Sequence, residues 1–143
     1  QQAGEEPGQC VLNDGMRGVI DKIEQADAFI LAAPTNFGSV TATFKRFMER
    51  LIVYGFWPWG AHSPVFRKAK SLTKKALLVT SCAAPGILGR WTYSTSRQLR
   101  MTAKLIGAKP VGLLYSGMIA GEPNTRLSAR TVQKAESLAQ RLI

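Results

Sequence analysis

Three short apolar runs constrain this chain more than any other feature. They are Ala28-Phe29-Ile30-Leu31, Ala76-Leu77-Leu78-Val79-Thr80 and Val111-Gly112-Leu113-Leu114-Tyr115. None alternates apolar with polar residues, so each reads as a strand buried on both faces. Ahead of the first run, Asp14 fits an N-cap, with Met16, Val19, Ile20 and Ile23 at helical spacing. After it, Val40, Phe44, Phe47, Met48, Leu51 and Ile52 follow a 3.6-residue period, with Thr43, Lys45, Arg46, Glu49 and Arg50 opposite. A further helix is expected over 91–106, ended by Gly107. A last one is expected over 125–142, burying Leu127, Val132, Ala135, Leu138, Ala139 and Leu142. Strands alternating with helices imply an α/β fold: a doubly wound parallel sheet in a three-layer α/β/α stack.

The first two runs end in loops of small residues with Pro and Gly. Ala32-Ala33-Pro34-Thr35-Asn36-Phe37-Gly38-Ser39 follows one, and Ser81-Cys82-Ala83-Ala84-Pro85-Gly86 follows the other. Loops at the C-terminal ends of adjacent parallel strands are where open α/β sheets hold ligands. Small side chains let a flat ligand approach the backbone, whose N–H groups can bond to its edge. A helix capped by Ser39 would add partial positive charge there. Neither loop contains Asp, Glu, Lys or His. Such a site suits an electron-rich heterocycle better than acid–base chemistry, and no catalytic side chain is assigned. Residues 55–66 read as a loop punctuated by Gly55, Pro58, Gly60 and Pro64. Phe56, Trp57 and Trp59 within it are expected at the surface, as a subunit interface or a lid.

Composition narrows the classes further. The 143 residues read as a single domain, 1–143. Cys10 and Cys82 are too few for a disulfide scaffold or a four-thiolate metal site, and His62 is the sole histidine. No G-x-S-x-G elbow is present. No apolar run approaches the roughly 20 residues of a membrane span. Residues 1–15 lack a signal pattern, so a cytoplasmic protein without a membrane partner is expected. The formal charge of +10 points to anionic partners. The densest basic group, Arg67, Lys68, Lys70, Lys74 and Lys75, reads as solvated loop or as a patch that attracts a phosphorylated nucleotide. No nucleic-acid recognition motif accompanies it, and no nucleic-acid partner is expected.

Asp27-Ala28-Phe29-Ile30-Leu31-Ala32-Ala33-Pro34-Thr35-Asn36-Phe37-Gly38-Ser39-Val40, followed by Phe44-Lys45-Arg46-Phe47-Met48-Glu49-Arg50, resembles the flavodoxin-like NAD(P)H-dependent FMN reductases. Gly8-Gln9-Cys10, Asp14 and Met16 resemble a segment that precedes this strand in many members. Cys10 is similar to part of the cysteine cluster that binds an iron–sulfur centre in some relatives, but no further Cys lies nearby. The resemblance implies FMN at the strand ends. Pro34, Thr35, Asn36, Phe37 and Gly38 would line the flavin ring, with Ser39 and Val40 beside it. Ser81, Cys82, Ala83, Ala84, Pro85 and Gly86 would form the second wall. It implies electron flow from NAD(P)H through FMN to a quinone, flavin, nitro or azo acceptor, in a homodimer or homotetramer. Arg90, Trp91 and Tyr93 follow the second loop and are candidates to meet nicotinamide phosphate or substrate. A non-enzymatic flavodoxin-like electron carrier is the alternative, and the basic charge counts against it. The serine-rich phosphate loop of the family is not matched in these residues. From this an N-terminal strand, helix and strand are expected to lie outside the chain.

Overall fold

The computed structural model describes residues 12, 14–68, 70–121 and 126–143. Gly8-Gln9-Cys10 therefore lies outside the described residues. The chain opens with α1 (Met16–Gln25) and β1 (Ala28–Ala32), then a ribbon of β2 (Thr35–Asn36) and β3 (Ser39–Val40). Next come α2 (Ala42–Arg50), a 3₁₀ turn (Leu51–Tyr54), and a second ribbon of β4 (Gly55–Phe56) and β5 (Val65–Phe66). The remainder is β6 (Lys74–Ser81), α3 (Gly86–Thr92), α4 (Thr95–Leu105), β7 (Ala108–Ser116) and α5 (Ala129–Ala139).

The three apolar runs form one parallel sheet in the order β1-β6-β7. Leu31, Leu78 and Leu113 stand in register across it, and all three are buried. Leu99, Ala103 and Ile106 from α4 and its C-terminal edge join them in the core, together with Ile23, Met48, Leu51 and Tyr54. Side chains alternate along a strand, so Gly112 faces the other side from Leu113. There α5 lies against the sheet, and a Cβ on Gly112 would overlap the Leu138 side chain. Helices thus occupy both faces, as expected. The cover on the α5 side stops short of β1, where Ile30 is 63% exposed.

Several boundaries differ from the sequence reading, each for a local reason. Ser39 does not cap a helix; it belongs to β3, and Thr41 caps α2 by accepting from the Phe44 N–H at 3.3 Å. After Arg50 the backbone tightens into the 3₁₀ turn, which buries Leu51 and Tyr54 and turns Ile52 out to 69% exposure. Residues 55–66 are not all loop, because β4 and β5 pair antiparallel there. Phe56, Trp57 and Trp59 are exposed as expected. The helix expected over 91–106 is two helices, broken at Tyr93, which is extended. Strand β7 starts before Pro110, because a bulge opposite Ala76/Leu77 absorbs the missing N–H. The last helix is shorter than expected and buries Leu138, while Leu127, Val132 and Ala139 are exposed.

The ends of α1 are tied down by charge. Asp14 accepts from the Met16 N–H at 3.0 Å and pairs with Arg50 at 2.7 Å. The Arg50 hydrogen bond, then that of Met16, holds the Asp14 carboxyl below its ordinary range. At the other end Lys74 Nζ donates to the Ile23 and Glu24 carbonyls, both at 2.6 Å, as suits a helix C-terminus. Glu24 accepts from Lys68 and from the Tyr54 hydroxyl. Partial burial pushes the Glu24 carboxyl up, but the Lys68 and Tyr54 hydrogen bonds outweigh it and hold it below its ordinary value. A depressed carboxyl stabilises the fold above its unfolded pKa and loses that contribution as pH falls through the folded value. Glu24→Gln is therefore expected to cost stability at neutral pH, under about 1 kcal/mol because the pair is solvent-screened. The cost should shrink in acid. Urea unfolding at both pH values checks this, and a pH-independent difference would contradict it.

Candidate functional site

The two candidate loops sit where β1 and β6 end side by side. β1 runs out through Ala33, whose N–H donates to the Val79 carbonyl at 3.1 Å. The chain then folds back in the β2–β3 hairpin, with Asn36 opposite Ser39. Its two turn residues, Phe37 and Gly38, have φ of 47° and 76°. Positive φ at both central positions is what a tight hairpin turn requires, and Gly supplies one of them without strain. Phe37 pays for its conformation and stands fully exposed at the tip.

The hairpin is clamped onto the start of α4. The Gly38 carbonyl accepts from both the Ser94 N–H (2.9 Å) and the Ser94 hydroxyl (3.0 Å). Gln98 Oε1 accepts from the Ser39 hydroxyl (3.0 Å) and the Val40 N–H (3.1 Å). Under the turn lies the Tyr93 ring, which a Cβ on Gly38 would meet at 3.3 Å. The Thr35 hydroxyl reaches Thr80 of β6 at 3.4 Å, joining the two walls. The partial charge expected from a helix beginning at Ser39 is displaced, since the hairpin intervenes and α2 begins at Ala42.

The second wall is shaped by close backbone packing. Cys82 is buried; its N–H donates to the Ser116 carbonyl at 2.9 Å, and its Sγ accepts from the Ala84 N–H at 3.3 Å. The loop after β7 closes over it: Met118 N–H donates to the Ala84 carbonyl and Ile119 N–H to the Cys82 carbonyl. A Cβ on Gly117 would lie 2.8 Å from Gly86 Cα, so only glycine allows this approach. Behind the wall is Tyr115, whose hydroxyl is buried without a hydrogen-bond partner among the described residues. Burial pushes it up to about 12, and the neighbouring Cys82 thiol adds to the shift. Gly89 of α3 leaves room for that hydroxyl, which a Cβ would overlap.

The structure thus brings Pro34–Val40 and Ser81–Gly86 together at one sheet end. Pro34, Asn36, Phe37, Ala83 and Pro85 are exposed there, while Val40 and Cys82 are buried behind them. The N–H groups of Phe37, Gly38 and Ala83 make no hydrogen bond among the described residues. A cleft of about 580 Å³ begins at Gly86 and runs past Ile87, Arg90, Trp91, Tyr115 and Lys134. Sequence reasoning missed Ser94, Gln98 and Gly117, whose roles depend on partners far along the chain. Replacing Gln98 by Ala should release the hairpin, accelerate amide exchange at Val40 and cost about 1–2 kcal/mol. Unchanged Val40 protection would show that the clamp is not holding β3.

Comparison with known proteins places this arrangement among relatives. The model of a family described as having a flavodoxin-like fold matches residues 10–142. An iron–sulfur flavoprotein of Archaeoglobus fulgidus is 41% identical over 51 residues, covering 36% of this chain and 23% of that protein. The matched stretches span about a fifth to a quarter of the curated relatives' length. Among solved structures, an FMN-dependent NADH-azoreductase from Bacillus anthracis in complex with FMN superposes with a TM-score of 0.58 at 12% identity. The match covers 95% of this chain and 69% of that one. A putative quinone reductase from Klebsiella pneumoniae gives 0.57 at 14% identity, covering 89% and 52%.

Proposed function

The chain belongs to the flavodoxin-like family, and on that premise we propose that it is an oxidoreductase holding the ring of FMN between the Pro34–Val40 hairpin and the Ser81–Gly86 loop. One observation carries this reading. The N–H groups of Phe37, Gly38 and Ala83, unpaired among the described residues, lie on loops at neighbouring strand ends that carry no carboxylate or ammonium group. Such donors suit the electron-rich edge of a flat heterocycle and favour its reduced, more negative form. The FMN-bound azoreductase of the same fold and the flavoprotein relatives support the same ligand class.

FMN held there would supply the redox chemistry, with NAD(P)H as the hydride donor and a quinone, flavin, nitro or azo compound as the acceptor. The chain's residues bind and orient. Pro34, Thr35 and Asn36 form one wall; Ala83, Ala84 and Pro85 form the other. Ser39 and Val40 are fixed by Gln98 and keep the hairpin at its height above the sheet. Cys82 is turned inward, where it shapes the loop through Ala84.

Titration of the purified protein with FMN, and with lumiflavin as the ring alone, tests the reading through quenching of flavin fluorescence. Saturable quenching is expected with both, and Ala83→Leu, at an exposed wall position, should weaken it about tenfold. Anaerobic NADPH should then bleach the bound flavin band. Absence of saturable quenching by either flavin overturns the site. Quenching without bleaching by NADPH or NADH overturns the reductase and leaves an electron carrier.

A further inference from the structure

A second feature of the molecule lies outside the ring site. From Arg50 through Gly121 the sequence holds eleven Lys and Arg, Arg50 included, and no Asp or Glu. Near its start, Arg50 and Lys68 are paired with Asp14 and Glu24. Further on, Arg90, Arg97, Arg100 and Lys104 all line one cleft of about 630 Å³ formed by α3, α4 and Leu113 of β7. No carboxylate lines it, and none of the four has an ion-pair partner among the described residues.

The spacing makes this more than a solvated helix face. Arg97, Arg100, Met101 and Lys104 recur at i, i+3, i+4 and i+7, so they form one stripe about 10 Å long. The opposite face, Thr95, Leu99, Thr102 and Ala103, is buried. Cations three and four residues apart on one helix repel each other. On α2 the same spacing is neutralised by the Lys45–Glu49 pair at 3.8 Å. On α4 no described carboxylate neutralises it. The Ser96 hydroxyl, which also lines the cleft, is buried with no partner among the described residues. At the cleft mouth Trp91 is 87% exposed, and Arg90 and Trp91 also line the neighbouring cleft that begins at Gly86.

We propose that the α3–α4 cleft binds a phosphorylated nucleoside, with its phosphates on Arg97, Arg100 and Lys104 and its base on Trp91. The Arg forks match phosphate oxygens in a bidentate manner, and an exposed indole offers a stacking face to any base. The cleft volume falls in the range of small-molecule sites. A stripe of about 10 Å spans the phosphates of one nucleotide rather than the backbone track of a nucleic acid. This inference does not require a flavin at the ring site.

Calorimetric titration of the protein with ADP, with pyrophosphate and with a short single-stranded oligodeoxynucleotide tests it. One saturable ADP site is expected, several-fold tighter than pyrophosphate. Arg97→Ala with Arg100→Ala, both at exposed positions, should weaken ADP at least about tenfold. Trp91→Ala should erase the advantage of ADP over pyrophosphate and leave pyrophosphate binding unchanged. Far-UV circular dichroism verifies that the variants keep the parent fold. ADP binding within twofold of the parent in the double Arg variant overturns the site. Equal affinity for ADP and pyrophosphate in the parent overturns the nucleoside. An oligonucleotide that binds tighter than ADP and is lost with the same arginines makes the cleft a nucleic-acid surface instead.

Discussion

The clamp between Gly38 and the start of α4 organises the functional end of the molecule. One carbonyl takes two hydrogen bonds from Ser94, and the carboxamide of Gln98 takes two more from β3. These bonds set the hairpin against the helix and hold Tyr93 beneath its turn. They also anchor the chain where α3 ends and α4 begins. One side of α4 fills the core with Leu99 and Ala103, and the other presents the basic stripe. The clamp thus ties the proposed ring site to the proposed nucleotide cleft through one helix.

The sheet was legible because it depends on local signals. An unbroken apolar run flanked by small residues points to a strand in a covered sheet, and three of them separated by helices leave a parallel sheet as the economical solution. Strand β1 departs from burial on both faces, with Ile30 exposed where the α5 side is uncovered. The candidate walls were legible for the same reason, since parallel neighbours bring the loops at their ends together. What stayed hidden rests on distant partners. Ser39 and Thr41 are both good caps, and the local sequence does not choose between them. The turn at Phe37-Gly38 and the bond to Gln98 do. The break between α3 and α4 is likewise invisible, because Tyr93 is extended and Ser94 bonds to a carbonyl 56 residues earlier. Ile52 followed the helical period until the 3₁₀ turn rotated it outward.

Charge is distributed with the same economy. Among the described residues, the acids that form ion pairs beyond their own helix are Asp14, just before α1, and Glu24, in its last turn, where they fix the helix to Arg50 and Lys68. Among the described residues, the cations of α3 and α4 therefore have no ion-pair partner. An excess of this kind raises the local concentration of anions and is screened by salt. It complements the proposed ring site, whose own loops carry no Asp, Glu, Lys or Arg: the walls would supply flat contact and N–H donors, and the neighbouring helix would supply attraction for phosphate.

The central claim is that the two loops hold a flavin ring through their unpaired backbone donors. Amide chemical shifts followed by nitrogen–proton NMR during FMN titration test it most directly. The account predicts that the Phe37, Gly38 and Ala83 resonances move furthest, saturating together, while those of the α5 residues Ala129–Ala139 stay fixed. Stationary Phe37, Gly38 and Ala83 amides with saturating shifts elsewhere in the chain would contradict it.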